Sequence, residues 1–141
     1  MVIGDVGSTS REELNVIRRG TSGQDFGWPC YEGTLVFDAT RSCSDPVAPV
    51  LEVAHEGGVC ALVGGAVLHD SRIPALSGRY LYGDLCTGKI SAVALASGRV
   101  TAVDELGVEV PALSSFGLDG LGRAYVTSGT GDVFRLDPAA N

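Results

Sequence analysis

Short apolar runs separated by turn-forming residues follow one another along the whole chain. Each run is rich in Val, Leu, Ile, Ala or Tyr and is bounded by Gly, Pro, Asp or Ser. Such runs predict β-strands, and their spacing of about 8 to 12 residues is typical of a sandwich, a barrel or a propeller. The predicted strands are residues 2–4, 14–18, 51–54, 64–68, 80–83, 89–95, 100–106, 114–118, 124–127 and 133–136.

A weak internal repeat distinguishes among these architectures. Residues 2–6, VIGDV, are similar to residues 81–85, LYGDL, and residues 82–90, YGDLCTGKI, are similar to residues 125–133, YVTSGTGDV. Both pairs join an apolar strand to a small or acidic turn, and their separations suit a unit of roughly 40 residues. A four-stranded propeller blade has this size, so the repeat favours a propeller.

The sequence therefore predicts an all-β single domain over residues 1–141, made of about three blade-like units of four-stranded antiparallel sheet. The units are expected at roughly 1–50, with a loop insertion at 20–50, then at 51–95 and at 96–137. Because each blade covers its apolar faces with its neighbours, three blades alone are expected to leave two large apolar faces exposed.

Composition and charge narrow the classes of function. The chain is 45% hydrophobic and 19% charged, which indicates a folded domain, and its net charge of −7 argues against nucleic-acid binding. No apolar run reaches the roughly 18 residues of a membrane span. The sequence after Met1 contains no signal peptide, so either export information lies upstream or the chain is cytoplasmic.

The four cysteines bear on whether the protein is exported or cytoplasmic. They are compatible with two disulfides in three pairings, and no Cys-x-x-Cys spacing suggests a zinc ribbon or a redox motif. We favour Cys30 with Cys43, closing a polar loop, and Cys60 with Cys86, joining two strands of one blade. The alternative is four buried free thiols. Paired cysteines would place the mature protein outside the cytosol.

Few residues suggest catalysis. No nucleophile elbow, P-loop, dinucleotide fingerprint or metalloprotease motif occurs. Of the two histidines, His55 in the loop HEGG is a better candidate than His69, although a lone histidine is more often structural. Asp5 and Asp84 occupy equivalent turns and either coordinate calcium or cap their own turns. The single tryptophan, Trp28, either stacks on a ligand or packs between blades.

Three segments together resemble the soluble glucose dehydrogenase and sorbosone dehydrogenase family. They are GDVG…REELNVI…FGWPCYEG in residues 4–33, residues 58–90, and SFGLDGLGRAYVTSGTGDVFRL in residues 115–136. The resemblance covers nearly the whole chain and implies the C-terminal portion of a six-bladed propeller. The cysteines resemble those of the disulfide-containing branch, which includes secreted bacterial members and the propeller of hedgehog-interacting proteins.

The resemblance also implies a cofactor chemistry. Quinone-using members oxidise a sugar with pyrroloquinoline quinone and calcium, a histidine taking the hydroxyl proton as hydride passes to the quinone. Two calcium-binding backbone carbonyls of the family fall on Gly7 and Ser8. The family's cofactor-binding lysine falls on Cys86, which is followed by Thr87, and a pair of arginines is missing near residues 107–115. The catalytic histidine belongs to earlier blades.

Three hypotheses follow. In the first, the chain is the C-terminal part of a secreted sugar dehydrogenase-like propeller, extracellular or periplasmic, and is inert on its own. In the second, it belongs to a non-catalytic propeller that binds a protein partner. In the third, copies of the chain assemble to complete the ring, two sets of three blades making six. The expected partners are therefore a sugar or a protein, and the missing half of the propeller or another copy.

Overall fold

Twelve β-strands make up the regular structure of residues 1–139, the part of the chain that this computed structural model describes, together with one short 3-10 helix at Pro74–Leu76. The all-β class predicted from the apolar runs is confirmed. The last two residues of the predicted domain, 140 and 141, lie outside the described residues. The strands are Val2–Asp5 (β1), Arg11–Val16 (β2), Tyr31–Glu32 (β3), Leu35–Val36 (β4), Leu51–Ala54 (β5), Leu62–Val67 (β6), Tyr80–Asp84 (β7), Lys89–Ala96 (β8), Arg99–Glu109 (β9), Leu113–Leu118 (β10), Ala124–Ser128 (β11) and Val133–Arg135 (β12).

The strands form three successive antiparallel sheets and one small hairpin. The first sheet has the order β1-β2-β5, the second β6-β7-β8-β9 and the third β10-β11-β12. The hairpin β3-β4 lies in residues 17–50, which join β2 to β5 and which we call the disulfide loop. The apolar pattern missed this hairpin because each of its strands has only two residues and both residues of β4 are exposed.

Two strands lie in a different sheet from the one implied by the predicted unit boundaries. Strand β5 pairs with β2 and belongs to the first sheet, and β9 pairs with β8 and belongs to the second. The second unit therefore extends from β6 to β9 rather than over residues 51–95. Strand β9 belongs to the second sheet for a local reason. Ser97 and Gly98 both have positive φ, which is typical of a two-residue hairpin turn, and this turn folds β9 back onto β8.

In the second sheet, strand β7 is buried on both faces. Alternate side chains of β7 point to opposite sides, so Tyr80 and Tyr82 pack towards the first sheet with Leu14, while Leu81 packs towards the third sheet with Ala124. The core is therefore two apolar layers, one on each side of the central sheet.

Close backbone contacts set the spacing between sheets. Strand β6 packs against both β1 and β10. A Cβ added at Gly4 of β1 would lie 2.6 Å from Leu62 Cδ2 and 2.9 Å from the Gly64 Cα. At the equivalent place, a Cβ on Gly83 of β7 would lie 2.7 Å from Leu113 Cδ1. The same contact thus recurs between successive sheets, as expected for a radial repeat.

The outward faces are not the large apolar surfaces that the sequence suggested. On the third sheet, Ser115 and Thr127 face outward and are hydrogen-bonded, with 2.7 Å between their hydroxyl oxygens. On the first sheet, the outward Glu13 and Asn15 are buried, and the backbone of Gly33 in the disulfide loop donates a hydrogen bond to Glu13. Polar side chains occupy part of one outward face, beside the exposed Val133, and the disulfide loop covers part of the other, so both faces are less apolar than expected.

Both favoured disulfides are present, Cys30–Cys43 and Cys60–Cys86, and no cysteine is free. The free-thiol alternative was therefore wrong. Two disulfides are typical of an extracellular or periplasmic protein. Within residues 1–139, no helix has the length and hydropathy needed to cross a membrane.

We expect Gly4→Ala to lower the free energy of unfolding by about 1–3 kcal/mol, because the added methyl group overpacks the contact between β1 and β6. Gly117→Ala is the matched control, since Gly117 also lies in a strand and an added Cβ there meets no atom within 4 Å. Urea denaturation of the two variants measures the difference. Equal stabilities would contradict the inferred close packing.

Candidate functional site

The loops at one end of the three sheets form a continuous hydrogen-bonded surface, which we call the loop end. It consists of residues 6–10, 55–61, 85–88, 110–112 and 129–132, the segments that follow β1, β5, β7, β9 and β11. The His55 N–H donates to the Ser10 carbonyl at 3.0 Å, the Val110 N–H to Gly88 at 2.8 Å, and the Gly129 N–H to Ala112 at 2.8 Å. The predicted residues Gly7, Ser8, His55 and Asp84 all lie at this end or beside it.

A buried carboxylate, Glu32 of the disulfide loop, organises the first of these segments. Its Oε1 accepts the backbone N–H groups of Ser8 at 2.8 Å, Thr9 at 2.7 Å, Ser10 at 2.7 Å and Arg11 at 3.0 Å. Burial raises the pKa of Glu32, but these backbone donors outweigh it and lower the pKa to about 2. Glu32 is therefore ionised throughout the neutral range and holds the segment in one conformation.

This arrangement directs the predicted calcium ligands outward. In a trans peptide the carbonyl points opposite to the N–H of the same unit. Because the Ser8 and Thr9 N–H groups point at Glu32, the carbonyls of Gly7 and Ser8 point away from it. A side chain at position 7 is excluded, since a Cβ on Gly7 would overlap the Arg11 carbonyl oxygen. The two carbonyl oxygens therefore lie on the side of the segment that faces away from Glu32.

His55 is held by a buried carboxylate rather than left free. Its Nε2 lies 2.5 Å from Oε1 of Glu12, and the other oxygen of Glu12 accepts the Leu62 N–H at 2.7 Å. Glu12 is fully buried. His55 thus connects the first and second sheets through Glu12, which favours the structural alternative for this histidine. His69 lies at the opposite end of the sheets, beside Gly122.

Glu13, the neighbour of Glu12, has the same type of role on the opposite face of β2. It accepts the Gly33 N–H at 2.5 Å and the Asn15 side-chain amide at 3.1 Å. Adjacent strand residues point to opposite faces, so consecutive acids can connect β2 both to the next sheet and to the disulfide loop. The sequence shows the Glu-Glu pair and the nearby Asn15, but not the pairing of these acids with Gly33 and Leu62, which lie far along the chain.

Asp84 is fully engaged by its own blade. Its Oδ2 accepts the N–H groups of Cys60 and Ala61, both at 2.9 Å, and its Oδ1 accepts the Thr87 N–H at 2.7 Å and the Thr87 hydroxyl at 2.8 Å. Burial raises the pKa of Asp84, and the hydrogen bonds more than offset this. The contacts match the capping alternative. Asp5, at the equivalent position, is exposed and makes no side-chain hydrogen bond within residues 1–139.

Within residues 1–139, Trp28 does not pack between two of the sheets. It lies on the disulfide loop, is 58% exposed, and stacks at a tilt on Phe37 with 4.6 Å between ring centroids. It also lines a small cavity with Asp5, Val6 and Glu32. The tryptophan is therefore part of an exposed apolar surface beside β1.

A second cavity, of about 200 Å³, lies between the first and second sheets. Leu62, Val53 and Tyr82 contribute apolar walls, and the Lys89–Glu105 ion pair contributes polar groups. Its volume is below the range of about 300–1,000 Å³ usual for small-molecule sites. We therefore assign no small-molecule ligand to it.

The described residues do not fit a quinone tricarboxylate, which requires cationic partners. Cys86, on which the resemblance places a cofactor lysine, is in a disulfide. Of the cations that begin strands at the loop end, Lys89 is paired with Glu105 at 2.9 Å and Arg11 lies 3.5 Å from Glu52. Across residues 1–139, no cluster of three or more His, Cys, Asp or Glu side chains could hold a metal.

Comparisons with known proteins define the class of fold. The chain superimposes over 98% of its length on a crystal structure of a glucose dehydrogenase, with a TM-score of 0.69 and 18% identity. It also matches the PQQ-bound form of an aldose sugar dehydrogenase from Streptomyces coelicolor over 96% of its length, with a TM-score of 0.66 and 16% identity. The chain covers 40% and 39% of those two proteins. The fold is thus a partial β-propeller of the type found in these dehydrogenases, which confirms the predicted fold class.

Curated relatives give a sequence-level similarity. The chain is 31% identical over 94 residues to the HIPL1 protein and 33% identical over 93 residues to the HIPL2 protein, both of Arabidopsis thaliana. Each match covers 57% of this chain and 13% of the plant protein. No protein-family profile matches the chain. The similarity in structure therefore establishes the fold relationship, while the activity of the whole protein is a matter for proposal.

We expect Glu32→Gln to destabilise the chain by about 2 kcal/mol, because a neutral amide replaces a charged acceptor of backbone N–H groups. The unperturbed pKa of 4.5 falls to about 2 on folding, so the stabilisation by Glu32 is complete above pH 4.5 and lost as the pH falls towards 2. Denaturation curves between pH 2 and pH 7 should show a shallower acid loss in the variant. Glu109→Gln, on exposed β9, serves as control, and an unchanged pH dependence in Glu32→Gln would contradict the assignment.

Proposed function

We propose that the chain is the C-terminal sector of a secreted, sugar dehydrogenase-like β-propeller, in which it contributes structure and a pair of calcium-binding carbonyls. The observation that carries the proposal is that nearly the whole chain superimposes on two sugar dehydrogenases. The chain corresponds to about two fifths of the length of each of them. The three sheets would form three of six blades, with a sugar as the substrate of the whole protein. The two disulfides support secretion.

The chain alone is proposed to be catalytically inert. His55 is held against Glu12, and the cations at the strand starts of the loop end are paired with acids. The general base and the cationic partners of the quinone would therefore come from the rest of the ring. When bound, pyrroloquinoline quinone would supply the hydride acceptor, and this sector would supply no side chain to it.

Calcium fits the loop end better than the quinone does. Gly7 and Ser8 present neutral carbonyl oxygens that Glu32 fixes in direction from the other side of the backbone. Such a pair completes a calcium site only with further oxygens, from the cofactor, water or another sector. The expected affinity of the isolated chain is accordingly low.

A second candidate is a non-catalytic propeller that binds a protein. The Cys60–Cys86 disulfide favours it, because the resemblance places a cofactor lysine at Cys86. Without that lysine the quinone would lose a cationic partner. The disulfide that stands in its place reinforces the turn instead. The exposed Trp28 and Phe37 would then belong to a binding surface.

Calcium binding tests the assigned role of the loop end. In calorimetric titration of this chain with calcium, we expect one weak site, whose affinity falls at least about tenfold in Glu32→Gln because the carbonyls lose their fixed direction. Ser8→Ala keeps both carbonyls and should bind calcium as the unmodified chain does. Equal binding by the chain and by Glu32→Gln would overturn the assignment.

Turnover distinguishes the two functions. With pyrroloquinoline quinone, calcium, glucose and an electron-accepting dye, we expect the full-length parent protein to reduce the dye and this chain to give none. A parent protein that binds no quinone would support the interaction propeller instead. Turnover by this chain alone would contradict both proposals.

A further inference from the structure

Three arginines at the end of the sheets opposite the loop end differ from the other cations of the chain. Of the ten lysine and arginine residues, seven pair with a carboxylate. The pairs are Arg11–Glu52, Arg41–Asp38, Arg72–Asp70, Arg79–Asp104, Lys89–Glu105, Arg123–Asp119 and Arg135–Asp137. Across residues 1–139, Arg18, Arg19 and Arg99 have no such partner, and all three are exposed. Unpaired positive charge is therefore concentrated at one place in a chain whose net charge is −7.

Two of these arginines come together because the end of β2 lies beside the turn between β8 and β9. Strand β2 ends two residues before Arg18, and Arg99 begins β9 directly after the turn. The Arg18 guanidinium lies on that turn, since a Cβ added at Gly98 would be 3.3 Å from Arg18 Nε and 3.9 Å from its Nη2. The absence of a side chain at Gly98 thus leaves the space that Arg18 occupies, and Arg18 and Arg99 line the same cavity.

This cavity, which we call the arginine cavity, has a volume of about 740 Å³ and lies between the first and second sheets. The side chains of Val50 and Val100 form apolar walls, and both pack against the apolar layer between these sheets. Thr21 and Gln24 form a polar wall, and the Thr21 hydroxyl donates to the Arg18 carbonyl at 2.8 Å, which closes the turn after β2. The volume lies within the range of about 300–1,000 Å³ usual for small-molecule sites.

The charges of the arginine cavity select the class of ligand. None of the described residues that line it is acidic, so two guanidinium groups share one cavity without a carboxylate to offset their repulsion. The planar guanidinium matches the oxygens of a carboxylate or a phosphate with two parallel hydrogen bonds. An oxyanion is therefore the group that the two arginines are suited to bind.

The other walls indicate what the oxyanion is attached to. A simple inorganic ion would fill little of the volume and would leave the valine walls without a contact. The C–H face of a sugar ring can lie against Val50 and Val100, while the Thr21 hydroxyl and the Gln24 amide can hydrogen-bond to ring hydroxyls. The combination of cationic, apolar and hydroxyl-binding groups favours a sugar that carries a negative charge.

We propose that the arginine cavity binds a monosaccharide that carries an oxyanion, either a sugar carboxylate or a sugar phosphate. Arg18 and Arg99 bind the oxyanion, the two valines contact the apolar face of the ring, and Gln24 hydrogen-bonds to a ring hydroxyl. The site lies at the opposite end of the sheets from the Gly7 and Ser8 carbonyls. It is therefore a second site, independent of the calcium role proposed for the loop end.

NMR titration of this 141-residue chain with glucuronate, glucose 6-phosphate, glucose and inorganic phosphate tests the site. We expect saturable shift changes at the backbone amides of Gln24, Gly98 and Val100 with at least one of the two charged sugars. The sugar that binds more tightly identifies the oxyanion as a carboxylate or a phosphate. Glucose and inorganic phosphate should each bind about tenfold more weakly or less, because the first lacks the charge and the second lacks the ring.

Substitutions of single arginines locate the binding. Arg18→Gln and Arg99→Gln should each weaken binding of the charged sugar about tenfold or more, because each removes a charge-assisted contact. Arg18→Lys keeps the charge but loses the fork geometry, so it should recover only part of the affinity. Arg19→Gln is the matched control, since it removes the same charge one residue away, from a side chain outside the lining of the cavity. At physiological ionic strength it should change the affinity by less than about twofold.

Several results would overturn the proposal. Absence of binding by both charged sugars would do so, as would equal affinity for glucose or for inorganic phosphate. Equal weakening by Arg19→Gln and Arg18→Gln would show unspecific attraction to positive charge rather than a site. Urea denaturation of the variants should give unchanged stability, because the substituted side chains are exposed. Calcium titration reports on the other end of the sheets, so failure of the arginine cavity is distinguishable from failure of the loop-end assignment.

Discussion

The structure depends on buried carboxylates that accept backbone N–H groups across long stretches of sequence. Glu12 joins the first sheet to the start of β6, Glu13 and Glu32 join β2 and its preceding loop to the disulfide loop, and Asp84 fixes the entry to β6. A propeller sector consists of short strands and many turns, so its loops have numerous backbone donors that the sheets do not satisfy. One charged oxygen that accepts several donors satisfies them compactly.

The same carboxylates determine what the loop end can do. Because Glu12, Glu32 and Asp84 are occupied by N–H groups, they are poor candidates for catalytic acids or metal ligands. What remains available is the outward side of the backbone, where Gly7 and Ser8 present carbonyl oxygens. In the role proposed for it, a sector stabilised in this way would supply a rigid frame and neutral carbonyl ligands, and the charged chemistry of a redox site would come from elsewhere in the ring.

Much of the fold was predictable because every strand except β3 and β4 has a local signal. Every predicted strand exists, Leu51–Ala54 with the predicted limits, and the repeat of VIGD in LYGD identified positions that prove to be equivalent. The sheet boundaries were less predictable, since β5 pairs with β2 across about 40 residues, in a loop whose only strands are the two-residue β3 and β4. The role of Glu32 was hidden because its donors are distant in sequence. The capping of its own turn by Asp84 was one of the predicted alternatives, and only its bonds to the distant Cys60 and Ala61 were hidden.

The central claim is that three sheets pack side by side about a common axis, the second between the other two. Nuclear Overhauser contacts in this chain test it most directly. The account predicts contacts from the Gly4 α-protons to the Leu62 methyl groups, and from the Gly83 α-protons to the Leu113 methyl groups, with none between β1 and β11. Contacts that join the first sheet face to face with the third, as in a closed sandwich, would contradict it.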